Sequence, residues 1–240
     1  MIPKIIHYCW FGRGEMPELA KMCIASWHKC MPDWEYKLWN EDNFDVTSVP
    51  YVKEAYEARK YAFVTDYVRL WALYNEGGVY MDTDVETLKS YDDLLHLTAF
   101  TGYEGSKSCP PVTGTMASDA GGEWVKEQLD DYEGAHFLMS DGTLDMTSNT
   151  QRISKIMRDN GFVQDGTYRV YKDLHVFPCE YFCPRLTSGE VVISEKTYCD
   201  HHFMGSWNNK KVKGIKGLIL CLAGSKMKVR MIKLKRKLFG

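Results

Sequence analysis

Residues 61–84, YAFVTDYVRLWALYNEGGVYMDTD, decide how this chain folds. Apolar residues recur at helical spacing from residue 61 to residue 76, and the pair Gly77-Gly78 that follows is a common stop signal for a helix. A short apolar run, residues 79–81, comes next and leads directly into Asp82-Thr83-Asp84. A helix, a tight turn and a buried strand in this order indicate an α/β fold.

Alternating elements continue on both sides of this stretch. The apolar patterns predict strands over residues 4–9, 34–39, 99–103 and 112–117 and helices over residues 51–60, 123–132 and 149–160. Neither an internal repeat nor a low-complexity linker interrupts residues 1–209. We therefore predict a single α/β domain over residues 1–209, followed by a tail over residues 210–240.

Charge is distributed unevenly between these two parts. The 240 residues carry 30 Lys and Arg against 32 Asp and Glu, a formal net charge of −2. Residues 210–240 hold 11 of the basic residues and none of the acidic ones, which leaves residues 1–209 with a balance of −13. The sequence thus describes an acidic domain with a basic tail.

The tail has the pattern of an amphipathic helix. Its apolar stripe consists of Met227, Met231, Leu234 and Leu238, and Lys and Arg residues surround that stripe. A basic helix of this kind suits an anionic membrane surface, and packing against the acidic domain is the alternative. We predict no nucleic-acid partner, because no module that reads nucleic acid accompanies the charge.

Targeting signals and cysteine usage favour a cytoplasmic protein. The first ten residues show no pattern of a secretion leader, and the longest apolar run, residues 218–223, is far shorter than the ~20 residues that span a bilayer. The eight cysteines are scattered without a paired framework. We therefore predict a cytoplasmic protein, held peripherally on the inner face of the cell membrane by residues 212–240.

The aspartates after the predicted strand are candidate ligands for a divalent cation. Residues at i and i+2 of an extended segment point to the same side, so Asp82 and Asp84 can share one ion. A bare D-x-D is weak evidence, and an acidic surface turn is the alternative interpretation. Its position at the carboxyl end of a buried strand strengthens the functional one, because α/β sheets bind ligands there.

A second polar pair lies on the preceding helix. Asp66 and Arg69 are three residues apart and share a face, while their neighbours are mostly apolar. A structural ion pair is one explanation, although buried pairs are poor stabilising devices. Recognition of a sugar or phosphate beside the aspartates is the interpretation that we favour.

These motifs resemble the sugar-binding region of glycosyltransferases that carry a DxD motif, and glycosyltransferase family 32 in particular. The resemblance rests on YAFVTDYVR at residues 61–69 and GGVYMDTD at residues 77–84, and it extends to IPKIIHYCWFG at 2–12, WNEDNF at 39–44 and HHFMGSW at 201–207. It resembles most the small bacterial branch of capsular and surface-polysaccharide enzymes. It implies a Rossmann-like nucleotide-sugar-binding domain of the GT-A type with a mixed central sheet.

The resemblance also implies roles for individual residues. Trp10 would stack on the base of the donor, and Tyr80 would lie beside the nucleotide. Asp66 and Arg69 would bind the transferred sugar or its phosphate, and Asp82 would face the ribose and the sugar. Asp84 would bind the metal directly, with Asp82 beside it. The remaining assignments are His202 as the further metal ligand, His201 as the second choice, and Ser206 and Trp207 closing over the diphosphate.

The expected activity follows from these residues together with the family resemblance, which alone implies retention of anomeric configuration. We expect a metal-dependent, retaining glycosyltransferase that uses Mn²⁺ or Mg²⁺ and places Asp82, Asp84 and Arg69 in catalysis. The donor would be a UDP-sugar, and the acceptor a saccharide or a lipid-linked saccharide of capsule assembly. The alternatives are a metal-dependent phosphohydrolase or nucleotide-sugar hydrolase, and a non-catalytic carbohydrate-binding protein of the membrane surface.

The tail yields the first testable prediction. Deleting residues 212–240 is expected to abolish sedimentation with anionic vesicles, because the deletion removes the basic helix. Vesicles of neutral lipid serve as the control. Sedimentation of the truncated chain that equals that of the full chain would rule the idea out.

Overall fold

A computed structural model describes residues 1–104, 111, 114–184 and 190–204. Its strands are β1 (Ile5–Cys9), β2 (Glu35–Trp39), β3 (Gly78–Met81), β4 (Val85–Thr87), β5 (Ala99–Gly102), β6 (Thr115–Ser118), β7 (Arg169–Tyr171), β8 (Leu174–Phe177) and β9 (Cys199–His201). Its α-helices are α1 (Glu18–Cys30), α2 (Pro50–Glu57), α3 (Tyr61–Glu76), α4 (Glu123–Asp130) and α5 (Asn149–Asp159).

Seven strands form one mixed sheet in the order β2-β1-β3-β6-β5-β8-β7. The strand β1 runs parallel to both β2 and β3, whereas β6 is antiparallel to β3 and β5. Because β1 and β3 are parallel, the residues that follow them meet at one edge of the sheet. The mixed α/β architecture confirms the predicted fold class.

Apolar residues cover both sides of this sheet. Along β3, Val79 and Met81 belong to one buried cluster, which also contains Trp27 of α1, while Tyr80 belongs to the cluster formed with α3. This alternation follows from the twofold repeat of a strand. The helices α1 and α3 therefore lie on opposite sides of β3, and α3 shares its side with Tyr80.

The turn between α3 and β3 requires its two glycines. Gly77 and Gly78 have φ angles of +67° and +112°, values that residues with a side chain rarely adopt. A Cβ atom on Gly78 would lie 2.7 Å from the carbonyl oxygen of Ile5. The missing side chains let β3 enter the sheet directly beside β1, which positions the aspartates that follow.

Some predicted elements shift or were missed. The helix predicted over residues 51–60 is α2 and spans Pro50–Glu57, and the strand predicted over residues 112–117 is β6 and spans Thr115–Ser118. The ribbon formed by β4 and β9 was not predicted as a pair, because its partners lie more than a hundred residues apart. Ser206, Trp207 and the tail over residues 210–240 lie outside the described residues. Within the described ranges no helix has the length and apolar character to span a membrane.

A buried histidine ties the turn to the sheet. The imidazole Nε2 of His7 lies 2.7 Å from the carbonyl oxygen of Gly77, and Trp39 donates its indole N–H to Nδ1 at 3.1 Å. These two contacts fit the neutral ring with its proton on Nε2. Burial lowers the pKa of His7 below its ordinary value of 6.5.

His7 should make the stability of the domain depend on pH. Below about pH 6.5 His7 binds a proton in the unfolded chain but stays neutral in the native chain. The free energy of unfolding therefore decreases as the pH decreases. Urea unfolding at about pH 7.5 and about pH 5.5 measures the loss, and His7→Gln is the comparison. We expect a larger loss in the wild type. An equal loss in both would show that His7 is not responsible.

Candidate functional site

The candidate site lies where β3 ends, in the turn that leads to β4. The N–H of Asp82 donates to the carbonyl oxygen of Gly114 at 2.8 Å, and the N–H of Val85 donates to the carbonyl oxygen of Asp82 at 3.0 Å. These bonds hold Asp82-Thr83-Asp84 in a tight conformation between the two strands. The Asp84 side chain is buried, while Asp82 is half-buried.

The ribbon of β4 and β9 brings a histidine to these aspartates. Val85 pairs with His201 across the antiparallel strands, and the imidazole Nε2 of His201 lies 3.2 Å from Oδ1 of Asp84. The backbone N–H of Met204 donates to the other carboxylate oxygen of Asp84 at 2.6 Å. Asp82, Asp84 and His201 each offer a ligand atom, and the three atoms lie within 4.8 Å of one another.

His202 occupies a different position from the one predicted. Its Nε2 lies 3.1 Å from Oε2 of Glu86, and its Nδ1 lies 3.9 Å from Oδ2 of Asp200. Consecutive residues of an extended chain point to opposite sides, so when His201 turns towards Asp84, His202 turns away. The structure therefore places His201, the second choice, where His202 was expected as the metal ligand.

Electrostatics keep this cluster charged. Burial raises the pKa of Asp84, but the hydrogen bond and charge of His201, together with the Met204 N–H, outweigh it, and the pKa is lowered. Burial lowers the pKa of His201, but Asp84 and Asp82 more than offset it, and the pKa is raised. A cation bound here would replace the imidazole proton, so affinity for metal should weaken as the pH falls.

A further observation indicates that these residues fit a divalent cation: Gly114 has no side chain to occupy the space between them. A Cβ atom built there would lie 3.0 Å from Nδ1 of His201 and 3.2 Å from Oδ2 of Asp82. Glycine thus leaves open the space between the two candidate ligands. Two carboxylates and one imidazole form a ligand set that suits Mn²⁺ or Mg²⁺.

Next to this cluster lies a buried chain of ion pairs. Nη2 of Arg69 is 3.0 Å from Oδ1 of Asp66 and 3.4 Å from Oδ1 of Asp82, so one guanidinium joins α3 to the turn after β3. The guanidinium carbon of Arg69 also lies 4.5 Å from the centroid of the Tyr80 ring, and the hydroxyl of Tyr80 donates to Oδ1 of Asp82 at 2.8 Å. The helix and the strand thereby fix the Asp82 carboxylate from two sides.

Tyr80 is deeply buried beside the aspartates. It is 1% exposed and covered by Arg69. The side chain supports Asp82 through its hydroxyl, and its expected position beside the nucleotide stays a prediction. The alternation along β3 accounts for its burial, because it directs Tyr80 towards α3.

Asp66 experiences opposing influences. Burial raises the pKa of its carboxyl to about 6, although the charge of Arg69 and a hydrogen bond from the backbone N–H of Asn149 act against the shift. Arg69 remains charged: burial acts to lower its pKa, but the negative charges of Asp82 and Asp66 outweigh burial and the pKa is raised. A fixed positive charge with two acidic neighbours is therefore present at neutral pH.

The other predicted donor residues are placed in part. Trp10 follows β1 at the edge where Asp82 follows β3, and its indole N–H donates to the carbonyl oxygen of Gly14 at 2.6 Å. Its ring is half-buried. Ser206 and Trp207 fall in the range that the structure does not describe.

Two further residues lie beside the site. Sequence reasoning gave Gly114 only as part of a candidate acceptor loop, residues 113–115, and did not identify Glu104. Gly114 faces the ligand atoms, and the half-buried Glu104 has its pKa raised by burial while interacting electrostatically with His201 and Asp82. Neither lies in a motif with a recognisable spacing. Only the pairing of β5 and β6 with their neighbours brings them to this edge.

Comparison with known proteins gives concordant results. Residues 17–101 match the family described as "Glycosyltransferase sugar-binding region containing DXD motif". Inositol phosphoceramide mannosyltransferase 3 of Schizosaccharomyces pombe is 37% identical over 107 residues, which cover 41% of this chain and 29% of that protein. Mannosyl phosphorylinositol ceramide synthase SUR1 of Saccharomyces cerevisiae is 33% identical over 107 residues, which cover 42% of this chain and 27% of that protein.

A solved structure extends the likeness to the fold. The PaToxG glycosyltransferase superposes with a TM-score of 0.51 at 16% sequence identity, over 67% of this chain and 70% of that one. The fold of this chain is thus of the GT-A glycosyltransferase type. The aligned segments span less than a third of the length of the fungal relatives. Those relatives do not support the bacterial capsular branch to which the sequence resemblance pointed.

The two adjacent histidines allow a matched test of the metal site. His201→Ala should weaken Mn²⁺ binding at least about tenfold, since even outer-shell substitutions cost that much. His202→Ala should leave it within about twofold, because that ring contacts Glu86 instead. Calorimetric titration with Mn²⁺ measures both, and circular dichroism checks that each variant is folded. A loss in His202→Ala with none in His201→Ala would reverse the assignment.

Proposed function

We propose that this chain is a metal-dependent glycosyltransferase that moves a sugar from a nucleotide-sugar donor to a saccharide or lipid-linked acceptor. The observation that supports it most directly is the convergence of Asp82, Asp84 and His201 at one sheet edge, with Arg69 joined to Asp82. The match of residues 17–101 to the DXD sugar-binding region agrees with this assignment.

The charges suit the departure of a diphosphate. Breaking the bond between a sugar and a diphosphate builds negative charge on the leaving group and positive charge on the anomeric carbon. When bound, a divalent cation at Asp82, Asp84 and His201 would neutralise part of the charge of the leaving diphosphate. Asp84 would hold that cation, and Met204, whose N–H bonds to Asp84, would keep the carboxylate in position.

Arg69 and the acidic residues would orient the sugar end of the donor. A guanidinium that remains charged offers several N–H donors in a fixed plane, which suits phosphate oxygens and sugar hydroxyls. Asp66 and Asp82 accept hydrogen bonds and hold Arg69 between them. Retention of anomeric configuration is our further proposal, based on the resemblance to family 32.

The donor and acceptor are proposals at a finer level. The names of the fungal relatives point to mannosyl transfer onto inositol phosphoceramide, and the resemblance seen in the sequence pointed to a UDP-sugar. We propose a hexose as the transferred sugar and an amphiphilic, lipid-linked acceptor. Attachment to the inner face of the cell membrane through residues 212–240 accords with such an acceptor and remains part of the proposal.

A hydrolytic role is the second candidate. A phosphohydrolase of this topology would carry a nucleophilic aspartate after its first strand, whereas β1 ends in Cys9 and is followed by Trp10-Phe11. Slow hydrolysis of the donor in the absence of an acceptor is expected of a transferase as well. Transfer to an added acceptor therefore distinguishes the two functions.

A panel of UDP- and GDP-sugars tests the proposal. With Mn²⁺ present, at least one donor should raise the melting temperature and be consumed faster when an acceptor glycolipid is added. Asp84→Ala and Arg69→Ala should each lower the rate at least about a hundredfold, because each removes charge stabilisation of the leaving group. Glu18→Ala, an exposed change on α1, is the control. Donor consumption that acceptors do not accelerate would favour the hydrolase, and thermal stabilisation indifferent to metal would favour a binding protein.

A further inference from the structure

A cavity of about 400 Å³ opens between α2, α3 and α4, and neither Asp82 nor Asp84 lines it. This volume falls within the roughly 300–1,000 Å³ that is common for small-molecule sites. Aromatic side chains of α3, Tyr67, Trp71 and Tyr74, line it, and the first residues of α2 and the end of α4 complete the wall. None of these residues takes part in the proposed transfer reaction.

Helix geometry separates this cavity from the donor site. Tyr67, Trp71 and Tyr74 recur at i, i+4 and i+7 and therefore share one face of α3. Asp66 and Arg69 lie on the order of 140° around the helix axis from that face. A ligand in the cavity would consequently leave the ion pairs of the donor site untouched.

Contacts with other aromatic rings hold the aromatic wall in place. The ring of Trp71 packs edge-on against Trp39 and Phe44, with 5.4 Å between ring centroids in each pair. The rings of Tyr67 and Tyr132 pack edge-on at the same centroid distance of 5.4 Å. Both side chains remain half-buried where they line the cavity. Rigid aromatic surfaces of this kind lose little conformational entropy when a flat ligand packs on them.

The rim determines which ligands fit. Asn75, Lys126, Asp130 and Glu133 surround the aromatic wall, and Lys126 forms an ion pair with Asp130. The net charge of these groups is negative, which disfavours phosphates and nucleotides. A wholly apolar ligand would displace water from the charged groups and offer them no hydrogen bonds in its place, which is unfavourable. A neutral ligand with an apolar face and hydroxyl groups at its edges meets both conditions.

We propose that this cavity is a second saccharide-binding site, in which pyranose rings pack on Tyr74 and Trp71 and hydroxyls bond to the polar rim. The inference goes beyond the proposed transferase and does not require it, because neither the metal cluster nor the donor takes part. Such a site would hold a glycan to the enzyme at a distance from the reacting sugar.

Binding of defined oligosaccharides to the full chain tests the proposal. The probes are linear mannotriose, maltotriose and cellotriose, titrated to about 20 mM by calorimetry and saturation-transfer NMR. At least one should bind, and Tyr74→Ala should weaken it about tenfold, the effect of losing one stacking ring. Tyr168→Ala removes an exposed aromatic side chain outside the cavity and should change nothing. Asn75→Ala, on the exposed rim, should also weaken binding and serves if Tyr74→Ala fails to fold.

Two further results decide the location. Affinity should be unchanged in Asp84→Ala and in the presence of Mn²⁺ with UDP, because the cavity lies on the other side of α3. The proposal is overturned if none of the three probes binds, if the cavity variants bind as well as the wild type, or if UDP displaces the saccharide. Failure of sugar transfer in the same preparation would bear on the proposed function alone.

Discussion

The buried guanidinium of Arg69 is the constraint on which the site depends. A charge removed from water must be compensated, and Asp66, Asp82 and the ring of Tyr80 do so from two different elements. Leaving such a charge without its partners costs about 3–5 kcal/mol. Helix α3 and the turn after β3 are therefore coupled, and Asp82 is held where Asp84 and His201 can join it.

Two connections of the chain bring the residues of the site together. The glycines at 77 and 78 let β3 return beside β1 directly after α3, which brings Arg69 and Asp82 together in a short segment. The second connection is long, since the pairing of β4 with β9 brings His201 to Asp84 across more than a hundred residues. The first connection is local and can be predicted from the sequence, whereas the second depends on a tertiary contact and cannot.

The local part of the site could be predicted. The helix α3, its glycine stop, the strand β3, the aspartates and the Asp66–Arg69 pair follow from apolar spacing and short-range rules. The choice between His201 and His202 could not be made in this way, because it depends on the register of a three-residue strand without a recognisable pattern. Gly114 was interpreted only as part of a candidate acceptor loop for a similar reason: a glycine facing two ligand atoms cannot be distinguished in sequence from a glycine in a loop. The depth of Tyr80 depends on Arg69 covering its ring, which is a tertiary contact.

We propose that Asp84 and His201 hold a cation beside Asp82, next to Arg69. Anomalous diffraction from crystals grown with Mn²⁺ and a nucleoside diphosphate measures this most directly. We expect a manganese peak within about 2.0–2.3 Å of an Asp84 oxygen and of a His201 nitrogen, with the diphosphate on the side of Arg69. A manganese ion coordinated by His202 and Glu86, or a diphosphate bound away from Arg69, would contradict it.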